Sequence, residues 1–286
     1  MLLFAAAMFA ATAYARPEML VSTEWLAAHL NDPDIRIVDM RRAAADFEAG
    51  HVPNAVYLAN DDIRDRNAAP TFLPTTAQFE ALMGRLGITN KTRVIAYDER
   101  GGIYGARLWW ILNHFGHSNV ALLDGGWVKW TLEQRASARD ITAPRAATFH
   151  ATPNPRWVAT ADDVRASIGK PGVKLVDART QAEIEGKDLR GIKRGGYIKS
   201  SVPLYWEDLL DPQTKAFKPA AELERLFNEA GIRKSDEVIT YCQVGMRASV
   251  DLFALHLMGY DNLRNYYGAW EEWGNREDTP IETKKP

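Results

Sequence analysis

The chain repeats itself. Across its 286 residues, segments recur in the same order at a spacing of about 143 residues, half the length. Arg36-Ile37-Val38-Asp39-Met40-Arg41 matches Lys174-Leu175-Val176-Asp177-Ala178-Arg179. Gly50-His51-Val52-Pro53-Asn54-Ala55-Val56 matches Gly196-Tyr197-Ile198-Lys199-Ser200-Ser201-Val202. Val94-Ile95-Ala96-Tyr97-Asp98 matches Val238-Ile239-Thr240-Tyr241-Cys242, and Gly125-Gly126-Trp127 with Trp130 matches Gly268-Ala269-Trp270 with Trp273. Collinear matches of this kind make the chain two copies of one domain. The copies are expected over 16–138 and 158–286. A linker over 139–157 joins them, carrying Pro144, Pro153 and Pro155 and no amphipathic period.

Each copy alternates strand and helix. Residues 35–39 and 173–177 are short β-branched runs ending in Asp and read as buried strands. Residues 77–86 and 220–230 place apolar side chains at helical spacing and stop at Gly87 and Gly231. Strands at 94–97 and 238–241, helices at 105–115 and 248–258, and strands at 119–123 and 262–266 complete each copy. This alternation predicts an α/β fold, a mostly parallel sheet with helices on both faces. Ligands of such sheets bind beyond the carboxyl ends of strands, here after Tyr97 and Tyr241.

The first fifteen residues, MLLFAAAMFAATAYA, hold no charged side chain and end in the small-x-small pattern Ala13-Tyr14-Ala15. The apolar run is shorter than the ~20 residues of a membrane span. It predicts a secretory signal peptide over 1–15, cut after Ala15, and a periplasmic or secreted protein with no membrane attachment after cleavage. A net charge of -2 and the lack of any basic block leave nucleic-acid binding without an electrostatic footprint. The single cysteine, Cys242, excludes an intramolecular disulfide.

The chemistry concentrates at Tyr241-Cys242-Gln243-Val244-Gly245-Met246-Arg247. A strand ends, a cysteine follows, a glycine-containing loop turns and a helix begins. Successive backbone N–H groups of such a loop form an anion-binding nest, and the helix start adds its positive end. A thiolate is stabilised there, and an anionic substrate is drawn to the same cradle. Arg247 can supply a bidentate donor. A lone cysteine is commonly a small buried hydrophobe. The matching position of the first copy is Asp98, however, which argues for a polar strand end rather than packing. A spacing of four residues between Cys242 and Arg247 is tighter than the Cys-x5-Arg loop of cysteine-dependent phosphatases.

These motifs (DxR after the first strand, Gly-His-Val-Pro-x-Ala, Tyr-Cys-x-x-Gly-x-Arg, and Gly-x-Trp-x-x-Trp, in two copies) resemble the tandem-domain rhodanese family of thiosulfate and 3-mercaptopyruvate sulfurtransferases. The resemblance covers residues 20–282. It implies two tandem rhodanese-like domains, the first inactive, and a two-step transfer. Cys242 takes a sulfane sulfur as a persulfide and hands it to a thiol or to cyanide. No cofactor and no metal are expected. The loop residues Gln243, Val244, Gly245, Met246 and Arg247, together with Arg179, are the expected substrate contacts. The chain departs from the family pattern in several places. Glu183 stands where a second substrate arginine is common, with Lys187, Arg190, Lys193 and Arg194 nearby as replacements. Tyr197 replaces His, Lys199-Ser200 replaces Pro-Gly, and Met246-Arg247 replaces Val-Thr. Thiosulfate is the expected donor, since a positive loop suits a dianion. The alternatives are 3-mercaptopyruvate as donor, or a non-enzymatic persulfide carrier serving a sulfur-accepting protein.

Other residues carry weaker signals. Asp39 and Asp177 recur and read as structural hydrogen-bonding groups. Trp127 and Trp270 recur as core or interface aromatics, and Trp109 and Trp110 pack at helical spacing with Phe115. His114 and His117 lack clustered acidic or thiol partners for zinc. His51 faces Tyr197 in the repeat, which argues against catalysis there. No Ser-His-Asp signature or nucleotide-binding glycine motif occurs.

Overall fold

The two runs rich in β-branched residues do become the central strands, each ending in three buried residues. The structure, a computed structural model, describes residues 13–65, 73–141 and 143–283. The first copy runs β1 (Leu20–Val21), α1 (Thr23–Ala28), β2 (Ile35–Asp39), α2 (Ala44–Ala49), β3 (Val56–Tyr57), α3 (Thr76–Arg85), β4 (Arg93–Tyr97), α4 (Gly105–His114), β5 (Val120–Leu123) and α5 (Gly126–Leu132). The second runs β6 (Val158–Ala159), α6 (Ala161–Ser167), β7 (Val173–Asp177), α7 (Gln181–Ile184), β8 (Tyr197–Ile198), β9 (Val202–Pro203), α8 (Ala220–Glu229), β10 (Glu237–Tyr241), α9 (Arg247–Leu257), β11 (Leu263–Tyr266), α10 (Ala269–Trp273) and β12 (Ile281–Glu282). Two five-stranded sheets result, ordered β1-β5-β4-β2-β3 and β6-β11-β10-β7-β9. All their strand pairs are parallel. Among the described strands only β8 and β12 pair antiparallel, outside the main sheets.

The residues that recur in sequence build the same buried frame twice. Asp39 lies opposite Tyr97, and Asp177 opposite Tyr241. The tyrosine hydroxyl donates to the aspartate in each copy. It also accepts a backbone N–H, from Val52 at 3.1 Å or Ile198 at 3.2 Å. Arg41 and Arg179 each grip that aspartate through Nε and Nη2. Each then donates onward to a glycine carbonyl, Gly50 or Gly196. Each guanidinium lies 4.2 Å from a tryptophan ring, Trp127 or Trp270. Buried charges persist when paired and hydrogen-bonded in this way.

Nine of ten residues of α4 and ten of eleven of α9 are buried. Helices covered all round must be sandwiched between layers. Each packs on its own sheet, and the two meet between the copies. Trp109 stands edge-on to Phe253 at 5.2 Å. One apolar cluster runs through both copies, from Val38 and Phe79 to Leu223 and Cys242. An apolar interface of this kind fixes the relative position of two domains. Trp110 joins it and donates through Nε1 to the Trp157 carbonyl at 2.8 Å.

Among the described residues, no helix or strand lies between Leu132 and Pro155. Most of the expected signal peptide, 1–12, falls outside the described residues. Tyr14 donates to the Lys218 carbonyl, and the Arg16 backbone N–H to that of Leu257. Among the described residues no helix is long and apolar enough to cross a membrane.

Candidate active site

Cys242 sits one residue past β10 and is fully buried at the end of its strand. The loop turns through Gly245, whose φ of +77° suits glycine, and α9 begins at Arg247. Three of the loop carbonyls are engaged by neighbouring elements. Cys242 and Gln243 accept the backbone N–H groups of Trp270 and Glu271 at 2.9 and 3.0 Å. Gly245 accepts Ser249 Oγ and Asn265 Nδ2, each at 3.0 Å. A trans peptide points its C=O and the following N–H in opposite directions. The N–H groups of Gln243, Val244 and Met246 therefore each point away from the partner of the carbonyl before them.

The first copy shows what such a nest does. The Asp98 carbonyl likewise accepts the Trp127 N–H at 2.9 Å. Its carboxylate accepts four backbone N–H groups, from Arg100, Gly102, Tyr104 and Gly105, at 2.7 to 2.9 Å. The strand-end residue thus gathers its own loop's donors. Aspartate fills that nest, and the matching position of the second loop carries the Cys242 side chain instead.

Cys242 contributes to a cavity of about 410 Å³ between the copies. Gln243, Val244, Met246 and Arg247 line it, with Thr180, Arg190, Tyr205 and Trp206 from the second copy and Arg100, Ile103 and Tyr104 from the first. Gly245 is not among these lining residues; it supports the loop from below.

Arg247 is not free to act as the anion clamp expected from its position. Its Nη1 and Nη2 donate to Glu183 at 2.6 and 2.7 Å, a bidentate buried pair. Burial works against ionisation of Glu183, but the hydrogen bonds and charge of Arg247 outweigh it and hold the carboxyl down at about 2. Burial opposes the Arg247 charge too, and the bonds to Glu183 and the nearby Cys242 raise it above the ordinary arginine range. Glu183 is positioned by a capping box at the start of α7, in which it also accepts from the Thr180 backbone and hydroxyl. The Thr180-x-x-Glu183 spacing is the sequence signal that locates this carboxylate.

Arg179 is 1% exposed and does not line the Cys242 cavity. The structure places it in the buried frame on Asp177 rather than on a donor. Among the four cations near Glu183, geometry separates one. Arg194 donates to the Gly274, Trp273 and Arg276 carbonyls and to Thr279. Lys187 pairs with Glu185, and Lys193 does not line the Cys242 cavity. Arg190 lines the cavity, half-exposed, with Nη1 3.8 Å from Glu183. Arg100, which the sequence reading missed, reaches in from the silent loop of the first copy. It is half-exposed and 3.6 Å from Glu207. Its place in the segment matching the cysteine loop was the available signal.

Asp251, on α9, is fully buried, and neither carboxylate oxygen has a hydrogen-bond partner. Burial first, then the charges of Cys242 and Asp177, push it well above the usual carboxyl range. The neutral acid is favoured there over the carboxylate. His114 and His117 are titrated downward, chiefly by burial. Among the described residues no group of metal-ligating side chains forms.

A duplicated α/β protein with one loop-held thiol, its other loop closed by a carboxylate, defines the class to which this molecule belongs. The rhodanese-like domain matches residues 22–133 and 160–276, and the chain belongs to the rhodanese family. It is 35% identical to the thiosulfate sulfurtransferase of Corynebacterium glutamicum, over 94% of this chain and 92% of that protein. It is 33% identical to the sulfur carrier protein TtuD of Thermus thermophilus, over 94% and 98%. The solved structure of the 3-mercaptopyruvate sulfotransferase SseA of Escherichia coli superposes with a TM-score of 0.80. That match has 28% identity and covers 88% of this chain and 98% of the other.

Proposed function

We propose that this protein is a thiosulfate sulfurtransferase working through a persulfide on Cys242. One observation carries the reading: the thiol shares its cavity with two half-exposed guanidinium groups, Arg190 and Arg100, one from each copy. The Cys242 thiolate attacks the outer sulfur of thiosulfate. A bond forms between Sγ and that sulfur, the bond to the sulfonate sulfur breaks, and its electron pair leaves with sulfite. The outer sulfur of the persulfide is then attacked by a thiolate, giving a new persulfide, or by cyanide, giving thiocyanate. Cys242 departs as thiolate. Both steps move anionic sulfur, so the loop amides and nearby cations stabilise reactant and product sulfur alike. With Arg247 held by Glu183, Arg190 and Arg100 are the groups for the sulfonate. The Arg100–Glu207 pair is solvent-exposed, and half-exposed Arg190 stands 3.8 Å from a Glu183 already held by Arg247, so both guanidinium groups can turn to a dianion.

Intact-protein mass after mixing with thiosulfate tests this. A gain of one sulfur, about 32 Da, removed by cyanide and missing in Cys242→Ser, supports the reading. No gain with thiosulfate but a gain with 3-mercaptopyruvate would reassign the donor. The similarity to a sulfur carrier protein favours a second reading, in which the persulfide passes to a partner protein. Fast loading with slow cyanide turnover would support it.

The apolar leader and Ala13-Tyr14-Ala15 support export. N-terminal sequencing of the mature chain tests that: a start at Arg16 supports it, a start at Met1 opposes it.

A further inference from the structure

Arg107 belongs to the first copy, on α4, yet its guanidinium reaches the catalytic loop of the second. The side chain is 1% exposed. Its Nε and Nη1 have no hydrogen-bond partner. Its guanidinium carbon lies 4.9 Å from the Trp110 ring centre. Its Nη1 is 2.9 Å from where a β-carbon on Gly245 would stand, so glycine is needed there for room as well as for φ.

A buried cation without a partner is strongly unfavourable, so a structure that keeps one implies an anion nearby. Among the described residues, no carboxylate forms an ion pair with Arg107. Burial and then the charge of Arg64 lower it to about 10, and the charges of Cys242 and Tyr267 oppose that. It therefore remains charged at neutral pH. The other charged groups around Cys242 do not supply an uncompensated cation at this depth. Arg247 on α9 also faces Cys242, but its guanidinium is shared bidentately with the Glu183 carboxylate on α7. Asp251 on α9 is a buried acid whose oxygens have no hydrogen-bond partner, and burial disfavours its charge. Asp177 on β7 is engaged by Arg179.

We propose that Arg107 is the buried counter-cation of the Cys242 thiolate and of its persulfide. The copy without a thiol thus charges the reactive loop from beneath, across the interface. Arg107 acts as a positioning residue, through the loop rather than on the donor. The inference rests on Cys242 being the working nucleophile, as proposed above.

The test uses the full chain and a neutral reagent. The rate of Cys242 alkylation by iodoacetamide at pH 7 is compared for the parent, Arg107→Gln and Arg107→Lys, with melting curves for each. Loss of the charge in Arg107→Gln is expected to slow alkylation about tenfold, and Arg107→Lys to recover most of the rate. Parent-like rates in Arg107→Gln would overturn the proposal. So would equal slowing in both variants, which would make the role one of shape. Should Arg107→Gln not fold, Arg107→Met, which buries no unpaired dipole, replaces it in the same comparison. Alkylation needs no sulfur donor. A failure here is therefore separate from a failure of the sulfurtransferase reading, which the intact-mass experiment decides.

Discussion

The loop after Tyr97 and the loop after Tyr241 share a strand end, a backbone N–H from a tryptophan on the loop carbonyl, and a helix that follows. They differ in what fills the nest. Asp98 is a fixed charge, and four backbone N–H groups close on it. Its loop is also longer, 98–104 against 242–246. Cys242 places a small polarisable sulfur at the same point, under a tighter turn. Duplication has thus kept the anion-binding backbone in both copies and divided the labour. One loop is satisfied internally, stiffens the wall of the cavity and lends Arg100. The other carries the thiol and lines the cavity.

Making the second loop resemble the first gives the largest effect. Cys242→Asp should abolish sulfur loading and lower turnover by about a thousandfold or more, since no nucleophile remains. Residual cyanide-dependent turnover in that variant would refute the assignment of the thiol.

Among the described residues the buried Glu183–Arg247 pair has no counterpart at the Asp98 loop, and breaking it sharpens the contrast. Glu183→Gln leaves a buried guanidinium without its carboxylate and should lower stability by about 3 kcal/mol. The folded carboxyl, near 2, lies below its ordinary value of 4.5. The unfolded state thus binds more protons between those values. The pair's contribution is whole above about pH 4.5 and fades as pH falls toward 2. Urea midpoints for parent and variant should converge at the acid end. A constant gap from pH 6 to pH 2 would show that the ion pair is not its source.

Opening the silent loop tests the other side. Asp98→Ala strands four backbone donors and should cost about 2–3 kcal/mol, read as a drop in thermal midpoint. Persulfide formation on Cys242 should persist in the folded fraction. A variant as stable as the parent would mean the carboxylate is dispensable to its loop.

The smallest effects are expected at the cavity mouth. Arg190→Ala should raise KM for thiosulfate about tenfold, and Arg100→Ala about threefold, with kcat little changed and the KM effect weaker at high salt. An unchanged KM in both would remove the sulfonate from this rim.

The repeat, the strand–helix alternation and the strand-end cysteine were all legible in the chain, because each depends on local spacing. Helices expected at 77–86 and 220–230 end within one residue of those observed, at Arg85 and Glu229. The two-residue edge strands β1, β3, β6 and β9 carry no periodicity of their own and appear only through pairing with their neighbours.

The sequence by itself determined that there are two copies, that one has a thiol where the other has a carboxylate, and which loop holds that thiol. Those are matters of residue type at fixed register. Only the tertiary structure decided where the charges go. Arg179 and Arg247, alike in sequence as cations near the site, are each bound to a buried carboxylate. Arg190, Arg100 and Arg107 come to the cysteine from a distant turn and from the other copy. A guanidinium's role depends on which anion it meets, and that partner lies up to 64 residues away for Arg247. No local pattern encodes such a meeting; packing α4 against α9 brings Arg107 to the catalytic loop.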